Sequence, residues 1–242
     1  MSTILDKTLG QLVVEDYRRA DILKSHNLDF CCGGKQTLEQ ACAEKQLFVD
    51  DIIAQLEQIP ASSKASENID TWPADLLCDY IEKKHHRYVE NSIPIIKSYL
   101  EKVWAAHGTQ NPSLATVKSI FFATADELTL HLKKEELVLF PYIRKLTSHQ
   151  ISGTKDINPP SFNSVQNPIQ TMLDEHEQAG ANLREIAAIT NNYQPPASAC
   201  NTYRVLLAKL QEFENDLHRH VHLENNVLFE KAIQMEQSIL AT

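Results

Sequence analysis

The chain has 242 residues, 43% hydrophobic and 23% charged, with 32 acidic against 23 basic side chains and a net charge of −9. That balance allows a real core and argues against nucleic acid as a partner, because phosphate binding needs a basic surface. No apolar run approaches the roughly 20 residues that span a bilayer, and the opening MSTILDKTLGQLVVEDYRRAD has no apolar leader with a cleavage site; the expectation is a cytoplasmic protein without a membrane partner.

Helical periodicity dominates and almost nothing alternates, so the expected class is all-α. Residues 1–60 read as a small helical domain. Leu9, Leu12, Val13, Tyr17, Ala20 and Leu23 fall on one helical face, and DFCCGGK follows as a turn. Thr37 with Gln40 has the spacing of a capping box, and 50–58 reads as a third helix. Residues 61–72 are small and polar, a linker. From 73 to 242 come four long helices, near 73–104, 113–144, 167–190 and 197–237. Pro73 suits a first helical turn, and Pro94 should kink the helix it lies in. Four such helices in succession predict an antiparallel four-helix bundle. The connection at 146–166, with Gly153 and Pro159-Pro160, is long beside bundle loops of about 2–8 residues.

Two stretches repeat. HLKKEELVLFP runs from position 131 and HVHLENNVLFE from position 220. On the second long helix the expected inward stripe is Val117, Phe121, Thr124, Leu128, His131, Glu135, Val138 and Tyr142. On the fourth it is Leu206, Leu210, Phe213, Leu217, His220, Glu224 and Val227. A histidine and a glutamate one turn apart thus replace apolar residues in both, and buried polar groups need partners. The third helix places His176 among Ile169, Met172, Leu173, Gly180, Leu183 and Ala187. The first offers His85 and His86. Helical period puts His85 with Cys78, Ile81 and Val89. The repeat favours His86, since His86 to His176 is 90 positions and His131 to His220 is 89. Two duplicated hairpins would then aim four imidazoles and two carboxylates at one place. Six N/O donors without thiolate do not suit structural zinc. They suit iron, manganese or copper, with Glu135 and Glu224 bridging two ions about 3.5–4 Å apart. Ferritin-like bundles use Glu-x-x-His with carboxylates in the majority, a different pattern.

With DFCCGGKQTL (29–38), HHRYV (85–89), HLKKEELVLFP, DEHEQAG (174–180) and HVHLENNVLF in hand, the chain resembles the repair-of-iron-centres (RIC) family, di-iron proteins with a hemerythrin-like bundle. The resemblance covers nearly the full length. It implies metal ligands His86, His131, Glu135, His176, His220 and Glu224, holding two non-haem iron ions with oxo and carboxylate bridges. It implies repair of iron–sulfur clusters after nitrosative or oxidative stress by iron donation, with damaged iron–sulfur proteins or cluster scaffolds as partners. A sensor or carrier of NO or O2, or an NO reductase, is the alternative at the same site. Where oxygen-carrying hemerythrins have a further ligand, this chain has Gly180, so positions should stay open for exogenous species.

Glu127, one turn before His131, and Glu175, beside His176, read either as partners of an imidazole N–H or as a proton or iron path. Cys31 and Cys32 precede Gly33-Gly34. A disulfide between neighbours is strained, and Lys35 is available to favour a thiolate; the expectation is an exposed thiol pair for redox, NO handling or docking, in a monomer or thiol-linked dimer. Cys42, Cys78 and Cys200 read as buried or partly buried thiols. His107, His149, His218 and His222 read as surface residues.

Overall fold

Thr8 opens the first helix with a capping box: its hydroxyl accepts the Gln11 N–H at 3.2 Å, and the Gln11 side chain accepts the Thr8 N–H at 3.0 Å. In the computed structural model, which describes residues 4–59, 69–153 and 160–240, four short helices follow: α1 (Leu9–Glu15), α2 (Arg19–Ser25), α3 (Leu38–Glu44) and α4 (Val49–Glu57). The first apolar run is therefore two helices, not one. Asp16 ends α1 in extended backbone, φ −155° and ψ 105°. Its carboxylate accepts the Arg18 N–H at 3.0 Å, a local bond that competes with helix continuation. Thr37 and Gln40 form the expected capping box at α3. The segment 61–68 lies outside the described residues. There is no strand among the described residues, and the protein is all-α.

Three long helices each contain a π segment. The first joins α5 (Ala74–Tyr80) through Ile81–His86 to α6 (Arg87–His107), which runs through Pro94. The second joins α7 (Ser113–Lys134) through Glu135–Leu139 to α8 (Phe140–Ser152). α9 (Gln166–Ile189) is uninterrupted. The last joins α10 (Asn201–Leu223) through Glu224–Leu228 to α11 (Phe229–Leu240). The second long helix thus outruns its expected end at 144, and 146–152 is helix rather than loop. Ile143, Leu146 and Thr147 are buried and carry the inward stripe onward. Residues 154–159 of the long connection lie outside the described residues.

Contacts divide the chain into two compact units, Met1–Leu77 with Leu146–Ile157 and Val221–Thr242, and Cys78–Lys145 with Asn158–His220. In the first, Leu9, Leu12, Leu23, Leu38 and Ile52 form a core at 0–1% exposure. In the second, the four-helix bundle, Phe213 of α10 meets Phe121 of α7 edge-on at 5.5 Å and Tyr88 of α6 at 6.4 Å. No helix among the described residues is long and apolar enough to cross a membrane.

The π segments shift the helical phase. A π turn inserts one residue, so everything beyond it is rotated relative to a 3.6-residue extrapolation. Val138, expected inward, is 46% exposed, while Leu139 and Phe140 take the buried face. On the third helix Leu173 and Ala187 are only half-buried, and Ile186 fills the core instead.

Candidate metal centre

Each π segment coincides with a donor. His86 ends the first, Glu135 begins the second and Glu224 begins the third. His85 and His86 are both wholly buried. His85 and His86 are the last two residues of the π segment Ile81–His86, and both turn inward. They diverge in role. His85 Nδ1 meets Asp216 at 3.0 Å, and its ring stacks on His220 at 5.7 Å. His86 joins the donor cluster.

Within the bundle the ligand atoms of His86, Glu135 and His220 lie within 4.8 Å of one another, and those of His131, Glu135 and His176 do the same. Glu135 belongs to both groups. Its Oε2 is 3.4 Å from the Nε2 of His86 and 3.4 Å from the Nε2 of His131. The Nε2 atoms of His131 and His176 face each other at 3.0 Å. Two nitrogens bound at right angles to one ion at about 2.1 Å would be about 3.0 Å apart. Glu224 is wholly buried and follows His220 by four positions in the sequence, the spacing of Glu135 after His131.

Carboxylates and lysines fix the imidazoles from behind. His131 Nδ1–H donates to Glu175 Oε2 at 2.8 Å, and Lys134 pairs with the other oxygen of Glu175. His86 Nδ1–H donates to Glu136 Oε1 at 3.1 Å, and Lys133 reaches Glu136 Oε2 at 2.7 Å. A carboxylate can only accept, so in both rings Nδ1 bears the proton and Nε2 offers its lone pair to the cluster. Burial acts upward on Glu136 and Glu175, but hydrogen bonds from Lys133 and His86, and from Lys134 and His131, outweigh it and hold both carboxyls below their usual range. Sequence reasoning offered the partner role for Glu175 and missed Glu136, which is bonded to a residue 50 positions away. Glu136→Gln or Glu175→Gln should weaken metal binding about 10–100-fold with the fold intact, measured by competition with a chromophoric chelator. Affinity unchanged in both would mean these carboxylates serve the surface alone.

A cleft of about 440 Å³ reaches His131, lined by Glu127, Leu130, Lys134, Asp174 and Glu175 among others. Gly180 is buried on α9, one turn beyond His176.

The paired cysteines are not the exposed, cation-assisted thiols expected. Cys31 is buried and Cys32 half-buried. Lys35 faces Glu230 at 3.9 Å instead. The Cys31 thiol is pushed well above its ordinary range by its bond to the Cys32 sulfur, by burial and by the Asp29 carboxylate. The turn is held from the last long helix: Asn225 donates to the Cys31 carbonyl at 3.2 Å and Asn226 to the Phe30 carbonyl at 3.2 Å. His222, expected on the surface, is buried among Tyr17, Phe30 and Asn226. The Asn225-Asn226 pair replaces Glu136-Leu137 of the first repeat, a difference visible in the sequence once the role is known.

Cys42 and Cys78 are buried as expected, but Cys200 is exposed. His107 Nε2 lies 3.1 Å from its sulfur. That hydrogen bond, helped by the N–H groups of Tyr203 and Thr202, lowers Cys200 to about 7. Its alkylation rate should therefore rise through about pH 7, and His107→Ala should move that midpoint upward. A midpoint unmoved by the substitution would remove the histidine from the explanation.

Comparison with known proteins gives two family models along the chain. Residues 79–232 match the hemerythrin HHE cation-binding domain, and residues 5–60 match an N-terminal domain of unknown function, DUF542. The iron-sulfur cluster repair protein YtfE of Musicola paradisiaca (strain Ech703) is 34% identical over 231 residues, covering 96% of this chain and 98% of the relative. The proteins of that name from Yersinia pestis (strain Pestoides F) and Yersinia pseudotuberculosis serotype O:1b (strain IP 31758) are each 35% identical over the same spans. Two domain matches in tandem and relatives aligned over almost the whole length show that this chain belongs to the repair-of-iron-centres family of hemerythrin-like proteins.

Proposed function

We propose that this protein restores iron–sulfur clusters damaged by nitrosative or oxidative stress, supplying iron from a di-iron centre in its bundle. The observation that carries this reading is the pair of donor groups sharing Glu135. A single structural ion would not need two overlapping sets. His86 and His220 would hold one ion, His131 and His176 the other, and Glu135 and Glu224 would span both. The donor set is imidazole and carboxylate without thiolate, which fits non-haem iron. When bound, the iron pair would supply exchangeable ferrous or ferric ions and coordination positions for small molecules.

The residues of the chain bind, orient and shield. Glu136 and Glu175 fix the tautomers of His86 and His131 so that each Nε2 stays a ligand. Phe140 covers the His86 ring at 5.5 Å. Gly180, one turn beyond His176, brings no donor of its own. Glu127, Asp174 and Glu175 line an acidic cleft whose charge attracts a cation or relays a proton. Residues 1–60 form the CCGG domain in this reading, tied by 61–72 to the bundle at 73–242, and Cys31 and Cys32 act towards the damaged protein or scaffold. The cleft reaches His131 and is wide enough to admit NO or O2, which keeps the sensor or carrier and NO-reductase readings in the test.

The test is iron content and repair together. Reconstituted protein should hold about two irons per chain with a charge-transfer absorption, and His131→Ala should lose both. The loaded protein should reactivate a [4Fe–4S] enzyme inactivated by NO, and the metal-free protein should not. Reactivation by the metal-free form would overturn iron donation. Steady NO consumption with no reactivation would favour the reductase.

A further inference from the structure

The CCGG turn carries a cluster of donors that the bundle does not use. Asp29 Oδ1 accepts the backbone N–H of Cys31 at 3.0 Å and of Cys32 at 3.0 Å. These bonds wrap the chain around the carboxylate and bring both sulfurs to one side of it. Cys31 Sγ lies 3.1 Å from Asp29 Oδ1 and 3.9 Å from Cys32 Sγ. One ligand atom from each of the three residues falls within 4.8 Å of the others.

We infer that Asp29, Cys31 and Cys32 form a second metal site, which takes one thiophilic transition-metal ion such as ferrous iron or zinc. The spacing fits. With metal–sulfur bonds of about 2.3 Å, the sulfur–sulfur edge of a tetrahedron is about 3.8 Å, and with an oxygen at about 2.0 Å the sulfur–oxygen edge is about 3.5 Å. The observed edges, 3.9 Å and 3.1 Å, need only small side-chain rotations. Charge fits as well. A nucleophilic thiol pair needs a cation beside it, and the only lysine of the turn, Lys35, points to Glu230. What stands beside these sulfurs is a carboxylate. Such a group opposes a bare thiolate and favours a bound cation.

The support of the turn is also unlike that of a mobile loop. Asn225 and Asn226 hold the carbonyls of Cys31 and Phe30. A prepositioned donor set loses less conformational entropy on binding. Cys32 is half-buried, so the fourth tetrahedral position opens on its side for water or a donor from another protein. A divalent ion entering would displace the two thiol protons to solvent and leave two metal–thiolate bonds and one metal–carboxylate bond. No electron transfer is involved. This site stands independently of the bundle centre.

Cobalt(II) is the probe. The full chain, metal-free and reduced, would be titrated anaerobically, following sulfur-to-cobalt charge transfer and proton release. In the His131→Ala/His176→Ala chain, whose bundle centre is disabled, a thiolate band saturating at about one ion per chain with about two protons released is expected. Cys32→Ser should abolish the band. Asp29→Asn keeps the acceptor for both N–H groups but not the charge, and should weaken binding at least tenfold with unchanged circular dichroism. His131→Ala with His176→Ala should leave the band in place, which separates this site from the bundle. Zinc should displace cobalt and remove its band, while ferrous iron, below cobalt in the affinity order, should compete only in large excess. The inference is overturned if the bundle fills with no thiolate band, if Asp29→Asn binds as wild type does, or if the band appears only with two chains per ion by light scattering.

Discussion

Glu135→Leu should give a protein that folds at least as well as the metal-free wild type and fails to retain its metal pair. Glu135 is wholly buried, and its Oε2 lies 3.4 Å from two histidine Nε2 atoms. Those separations exceed the roughly 2.7–3.2 Å of good hydrogen bonds, and a wholly buried carboxylate carries a desolvation cost that a bound metal offsets. Replacing buried charged groups by an apolar side chain of similar volume is often neutral or stabilising by about 1–4 kcal/mol. With metal the sign reverses, because Glu135 belongs to both donor groups and its loss removes a ligand from each. The check is paired. Metal content should fall from two ions towards none, and a chelator should lower the melting temperature of wild type but not of the variant, since ligand binding stabilises by mass action. Two ions retained by Glu135→Leu would show that this carboxylate bridges nothing.

Gly34→Ala should destabilise the protein by about 2–3 kcal/mol, lowering the melting temperature by roughly 5–10 °C for a chain of this size. A β-carbon at Gly34 would lie 2.5 Å from the Phe30 carbonyl oxygen and 2.7 Å from Asn226 Oδ1. The Gly34 carbonyl is tied in turn, accepting the Gly10 N–H at 2.9 Å. Asn226 can rotate away, but the Phe30 carbonyl is backbone and belongs to the turn that holds Cys31. The clash is therefore relieved only by moving the di-cysteine segment. Urea unfolding of Gly34→Ala, alone and with Asn226→Ala, separates the two contacts. Most of the loss should persist in the double variant. Full recovery would assign the crowding to the side chain alone, and no loss in the single variant would mean the turn yields freely.

The electronegative setting of Cys31 illustrates what a linear reading misses. Lys35 is four positions from Cys31 and looks like its natural partner, yet it faces Glu230, and Asp29 takes the place beside the sulfur. Proximity in sequence names the candidates in a turn, while its backbone bonds decide which one arrives. His222 makes the same point. Its two-residue offset from His220 turns it off the stripe, which is true, but a second packing partner covers that other face with Tyr17 and Phe30.

By itself the sequence determined the all-α class, the capping box at Thr37, the four long helices, the doubled His-Glu stripe and the CCGG turn. Each is a local or periodic property, set by spacing and side-chain chemistry along one element. Tertiary structure alone decided that His85 and His86 both turn inward, that Leu139 rather than Val138 is buried, that Glu136 orients His86 and that Asn225 and Asn226 hold the cysteine turn. The reason is physical. A π insertion leaves no periodic trace of its own and persists where packing favours the rotated face. Partners 50 and 194 positions apart, such as His86 with Glu136 and Cys31 with Asn225, meet only when helices pack.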